Sequence, residues 1–205
     1  MIDCLTVPET ADWVGVLGSA CPAPLTGLAD EFGVLGLAEL FEAFGFTSAP
    51  SMPYLPLAEG PPSEIEAPEA AIIGQENLVV SPLQVGLALA AFGNGGVPVQ
   101  ARLVSAVQDD GGEWAGTAGE VAERAPLVTA ETAVQIREAL PQWERTREYN
   151  TLVLSGPDGG MNGWYLALAP ITEPRYALVV VVEDVADGEA AQEIGRELLQ
   201  MVLGN

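Results

Sequence analysis

The side chains able to do chemistry in this 205-residue sequence are few in kind. Basic residues number 7 against 29 acids; all of the basic residues are arginine, and histidine is absent. A chain with neither lysine nor histidine holds no Ser-His-Asp or Cys-His nucleophile, no Schiff-base lysine, no Walker phosphate loop, no His-containing zinc site and no serine activated by Ser-x-x-Lys. Carboxylate and thiol chemistry remain. Asp109-Asp110, Glu183-Asp184 and Asp187 are oxygen donors of the type Ca²⁺ takes, but the same residues suit a solvated turn and an acidic helix start, and that reading is preferred. Cys4 and Cys21 are two buried thiols by default; in an oxidising compartment a disulfide is the alternative. Neither has a lysine or histidine beside it to lower its pKa, so a catalytic thiolate is not expected. Arg145-Thr146-Arg147, flanked by Glu144 and Glu148, reads as a surface ion-pair cluster rather than an anion site. Trp13, Trp114, Trp143 and Trp164 read as core or partly covered surface rather than a ligand groove.

The formal charge of -22 argues against nucleic acid as a partner, because phosphate-backbone binding works through Lys and Arg displacing counterions. No base occurs before Arg102. Hydrophobic content of 49% suits a folded chain, and the longest apolar runs, such as Tyr176 to Val182, are too short to span a bilayer. No basic and then apolar leader opens the sequence.

Several elements can be read from spacing and punctuation. Thr10 to Gly18 suits a short helix closed by Pro22 and Pro24, and Leu25 to Phe32 a second. After Gly33, Leu37, Leu40, Phe41 and Phe44 share one face of a helix that Gly45 ends. Thr47 to Ala71 is proline-rich and has neither helical nor strand period, an excursion within one domain spanning 1–205. Ser81-Pro82-Leu83-Gln84 starts the next helix with a capping box and proline at N1, and Asn94-Gly95-Gly96 ends it. Ala101 to Gln108 reads as a strand before a turn at 109–112, and Thr129 caps a helix that Pro141 stops. Strands follow at Thr151 to Ser155, Gly163 to Ala169 and Tyr176 to Glu183, their short connections favouring antiparallel pairing. The last helix, about Gly188 to Leu203, offers Ala191, Ile194, Leu198 and Met201 as its core face.

The run from Ile73-Gly74-Gln75-Glu76 through Ser81-Pro82-Leu83-Gln84 to Phe92-Gly93-Asn94-Gly95-Gly96 resembles the penicillin-binding-protein transpeptidase domain, with Glu76 where that family usually has glycine. Phe44-Gly45-Phe46, the strand Gly163 to Ala169 with Pro170, and the strand Arg175 to Glu183 are similar to further family segments in the family's order. The resemblance spans roughly Ala20 to Leu203. It implies an α/β fold of the α+β type, beta-lactamase/transpeptidase-like, an antiparallel sheet with packed helices, lacking the N-terminal part that bears the nucleophile. The chain is then a domain fragment or a truncated homologue.

That family works through three motifs. Serine-x-x-lysine is absent. The position of serine-x-asparagine falls on Ala20-Cys21-Pro22, or on Ser19-Ala20-Cys21 after a one-residue shift, and neither keeps both polar groups. The lysine-threonine/serine-glycine strand falls on Leu154-Ser155-Gly156, with leucine at the lysine position. A serine with no base beside it is a poor nucleophile, and leucine offers a carboxylate no charge. The resemblance therefore implies an inactive relative: a binding or structural module linked to cell-wall processes outside the cytoplasm, with no cofactor and no metal. A peptidoglycan-related ligand and a homodimer or partner that completes the sheet are expected. The alternative is the C-terminal part of an acyl-serine transpeptidase or beta-lactam-binding protein whose nucleophile lies outside this chain.

Overall fold

A computed structural model of the chain describes residues 4, 7–19, 21–50, 65–74, 78–116, 124–155 and 160–204. Its described elements run α1 (Trp13–Gly18), α2 (Ala23–Ala43), α3 (Pro68–Ala71), α4 (Pro82–Gly93), β1 (Ala106–Gln108), β2 (Trp114–Gly116), α5 (Ala130–Ala139), β3 (Gln142–Trp143), β4 (Thr146–Ser155), β5 (Gly160–Ala169), β6 (Tyr176–Val182) and α6 (Glu189–Leu203). The expected α+β architecture is what folds.

Four strands form one antiparallel sheet in the order β3-β4-β5-β6. Register aligns Thr151 with Trp164 and Trp164 with Val181, so the three expected strands are neighbours. The middle strand, β5, is buried along most of its length because helices cover both of its faces. Tyr165, Ala167 and Ala169 meet Ala191 and Leu199 of α6, with Leu178, Val180 and Val182 of β6 packed around them. On the other face Gly86 of α4 lies against Val179, and Gly93 against Leu168. β1 and β2 pair separately as a hairpin.

The capping box before α4 forms as the sequence predicts: Ser81 Oγ accepts from the Gln84 amide, and Gln84 Oε1 accepts from the Ser81 amide at 2.8 Å. Gln84 does more than cap. Its Nε2 donates to the carbonyl oxygens of Gly45 at 2.8 Å and Ser48 at 3.0 Å, which binds the start of α4 to the loop after α2. Phe44 of that loop packs on Phe92 at the far end of α4, ring centroids 5.6 Å apart. A buried amide with all of these partners costs no unsatisfied polarity.

Other expectations are corrected. The helices on either side of Gly33 are one kinked element, bent where Gly33 adopts φ 61° and ψ 179°, a conformation open to a residue without Cβ. The excursion contains a helical turn, α3, begun by Pro68 and packed on α2 through Ala71. Trp13 and Trp114 are exposed, whereas Trp164 is buried.

The largest correction concerns α6. Ile194, Leu198 and Met201 are exposed, and the covered face carries Ala191, Gly195 and Leu199. The ring of Tyr165 lies where any Cβ on Gly195 would sit, so the sheet selects the face with the smallest residues.

Candidate functional site

Of the six positions that the sequence nominates, four are described, two before α2 and two on β4. Ala20 and Gly156 lie outside the described residues. Cys21 is buried and joined by a disulfide to Cys4, Cα–Cα 4.7 Å, in place of the two thiols expected by default. Closing a 17-residue separation in this way removes conformations from the unfolded chain. Pro22 sits at the N-terminal boundary of α2. Leu154 and Ser155 end β4, where their backbones pair with Met161 and Gly160.

Two of the five carboxylates nominated for a cation, Asp109 and Asp187, are engaged with the backbone. Asp109 Oδ1 accepts from the amides of Gly111 and Glu113, closing the turn between β1 and β2. Asp187 Oδ1 accepts from the amide of Glu189 at the start of α6.

A polar cluster that no motif announced lies between the sheet and α6. Glu148 on β4 is 5% exposed, and three side chains converge on its carboxylate. The Tyr165 hydroxyl donates to Oε2 at 2.7 Å and Gln192 Nε2 to Oε1 at 3.3 Å. Arg196 donates through Nε to Oε2 at 3.3 Å and through Nη2 to Oε1, a two-point grip that suits a planar guanidinium. The same guanidinium lies over the Trp143 ring, 4.4 Å from its centroid. The surface ion-pair cluster expected around Arg145 and Arg147 is therefore absent: Glu148 turns inward, and Arg147 caps carbonyls by donating to Leu140 O at 3.0 Å and Glu138 O at 3.3 Å. The bond with Glu148 raises the pKa of Arg196, which stays cationic. The cluster pins α6 to β4 and β5.

Burial, then the bond to Glu148 and its charge, push the Tyr165 hydroxyl well above the ordinary tyrosine value of 10.0. The sign follows from linkage. Tyr165 contributes its stability in full below pH 10, and that contribution is lost as pH rises further, because the unfolded chain then releases a proton that the folded chain holds. Melting temperature is expected to fall above pH 10 and Tyr165→Phe to flatten that fall, leaving the part due to Tyr149, whose pKa burial also raises. Identical alkaline slopes for the two proteins in a pH series of thermal melts would remove Tyr165 from the account.

Comparison with known proteins places this geometry. The family model for the penicillin binding protein transpeptidase domain matches residues 9–200. The chain belongs to that family. Among curated relatives it is 28% identical over 210 residues to the peptidoglycan D,D-transpeptidase PbpA of Mycobacterium tuberculosis, a match covering 90% of this chain and 42% of the relative. The corresponding protein of Mycolicibacterium smegmatis is 27% identical with the same coverage. The solved structure of penicillin-binding protein A from M. tuberculosis superposes with a TM-score of 0.83 at 25% identity, covering 98% of this chain and 50% of that one. Penicillin-binding protein 2 of Pseudomonas aeruginosa, at 13% identity, shares the fold with a TM-score of 0.78, covering 100% of this chain and 56% of that one. The chain thus spans less than half the length of the curated relatives it matches.

β4 carries Leu154-Ser155 and pairs antiparallel with β5, which carries Trp164. The resemblance read from the sequence is confirmed at the level of family and fold.

Proposed function

We propose that this domain carries out no acyl transfer with its own residues and acts as a binding or structural module in peptidoglycan assembly, outside the cytoplasm. The observation that carries the proposal is the end of β4: Leu154 stands at the lysine position of the family strand, in a chain with no lysine at all. Without a cation there, a substrate or penicillin carboxylate has no charged partner, and without lysine or histidine a serine has no base. The ligand class that suits such a module is peptidoglycan-related, since the relatives are peptidoglycan transpeptidases by name.

A second reading, favoured by the 42% coverage of the curated relatives, is that this chain is the C-terminal part of an acyl-serine enzyme with its nucleophile elsewhere. One experiment tests both. The 205-residue chain, incubated with a reactive penicillin and denatured, is expected to keep its unmodified intact mass. A stoichiometric, denaturation-resistant mass increase overturns the proposal. Acylation of a longer product of the same reading frame, with this chain unlabelled, selects the second reading.

A further inference from the structure

Asparagine is a thermolabile residue, and most so before glycine, where no side chain shields the next backbone nitrogen. The chain holds two such pairs, Asn94-Gly95 and Asn162-Gly163, and the fold treats them differently. Asn162 and Gly163 lie inside β5, with Gly163 between Leu152 of β4 and Val182 of β6. Asn162 Oδ1 also accepts from the Asp184 amide at 3.4 Å. Asn94 is instead the C-cap of α4. The bonds that turn the chain there belong to its neighbours: the Gly96 amide donates to Ala91 O at 2.8 Å and the Val97 amide to Asn94 O at 3.3 Å, while the Gly95 amide has no acceptor among the described residues. Gly95 and Gly96 sit at φ 65° and 89°. One bond holds the Asn94 side chain, from Nδ2 to Val97 O at 3.0 Å.

We propose that Asn94 is a site of spontaneous covalent modification, with water as the only co-reactant. The Gly95 nitrogen attacks Cγ of Asn94 and forms a new C–N bond. The bond from Cγ to Nδ2 breaks, and Nδ2 leaves as ammonia, taking the proton that Gly95 gives up. The product is a five-membered succinimide, which water opens at either carbonyl to aspartate or isoaspartate. Each adds one negative charge, and no electrons change hands. Ring closure requires the turn after α4 to loosen from the Asn94 ψ of 33°. That opening breaks only the few bonds around Asn94 and Gly96, whereas opening at Gly163 parts a central strand from both of its neighbours.

Either product undoes the cap. A carboxylate cannot donate, so Val97 O loses its partner, and the new charge stands at the negative end of the α4 dipole. Arg137 offsets part of that charge, since its Nη1 already donates to Phe92 O at the same end of the helix. Isoaspartate also lengthens the backbone by one carbon ahead of Gly95, which displaces the Gly96 amide from Ala91 O.

The test follows both pairs by peptide mapping and mass spectrometry in the native 205-residue chain, warmed in mildly alkaline buffer, with the urea-unfolded chain alongside and enzymatic methylation counting isoaspartate. In the unfolded chain the two pairs are expected to convert at similar rates. In the native chain Asn94 is expected to convert at least about tenfold faster than Asn162. Asn94→Gln keeps an amide donor but lengthens the side chain past five-membered closure, and should leave only the isoaspartate due to Asn162. Asn94→Asp, which carries the charge of the product, is expected to lower the melting temperature by about 4 °C. A native chain in which Asn94 converts no faster than Asn162 overturns the proposal, and so does an isoaspartate yield that survives Asn94→Gln unchanged. An unshifted melt for Asn94→Asp overturns the account of the cap.

Discussion

Arg196→Met is expected to cost about 3 kcal/mol of folding stability, near the lower end of what removing one partner of a buried ion pair costs. The lower end applies because the two groups differ in exposure: the Arg196 side chain is 32% exposed and that of Glu148 6%. The methionine keeps the unbranched stem, so the loss is the guanidinium. Glu148 is then left buried with hydrogen bonds from only Tyr165 and Gln192, and Trp143 loses the cation above its ring. For a domain of this size the melting temperature should drop by about 10 °C. Removing both charges, as Glu148→Leu with Arg196→Met, is expected to recover much of the loss, since a buried pair replaced by apolar groups is often neutral. Part will remain, because the Tyr165 hydroxyl loses its acceptor. Thermal or urea unfolding of the two singles and the double closes the cycle. A single variant within about 0.5 kcal/mol of the parent would show that α6 is held by its apolar face alone.

Gly195→Ala is expected to destabilise as well, although alanine is the better helix former by about 1 kcal/mol. The added methyl lands on the Tyr165 ring. That ring cannot swing aside without breaking the 2.7 Å bond to Glu148, and overpacking a fixed core contact costs roughly 3 kcal/mol. The net is a loss of about 2 kcal/mol, or a fall in melting temperature of roughly 4–8 °C. Gly27→Ala in α2 is the control: a Cβ there meets nothing within 4 Å, and stability should rise by up to about 1 kcal/mol. If the two substitutions moved stability in the same direction, the steric account of Gly195 would fail.

Local chemistry made much of this protein legible from its sequence. Ser81, Pro82 and Gln84 specify a helix start through interactions within three residues of each other, and the structure forms that start unchanged. Gly33 and Gly45 mark breaks because their conformations, φ 61° and 75°, suit a residue without Cβ. The three consecutive strands and their pairing follow from apolar runs joined by short connections. The composition settled which chemistries the chain lacks, since a residue type that is absent needs no fold to be ruled out of this stretch.

Contacts between distant residues were decided by the tertiary structure alone. Glu148 and Arg196 are 48 residues apart, and beside Glu144, Arg145 and Arg147 the sequence offered Glu148 nearer partners. It turns inward because on β4 it lies across from Ala167, next to the Tyr165 hydroxyl, under a helix that brings Gln192 and Arg196 within reach. The same limit governs α6. Helical spacing shows that Ile194, Leu198 and Met201 share one stripe and Ala191, Gly195 and Leu199 another, but not which of them the sheet covers. Hydrophobicity favours the larger residues, and packing against a fixed tyrosine ring requires the smaller ones. Periodicity lives in the helix itself, whereas the choice between its faces is made by the shape of the surface it meets.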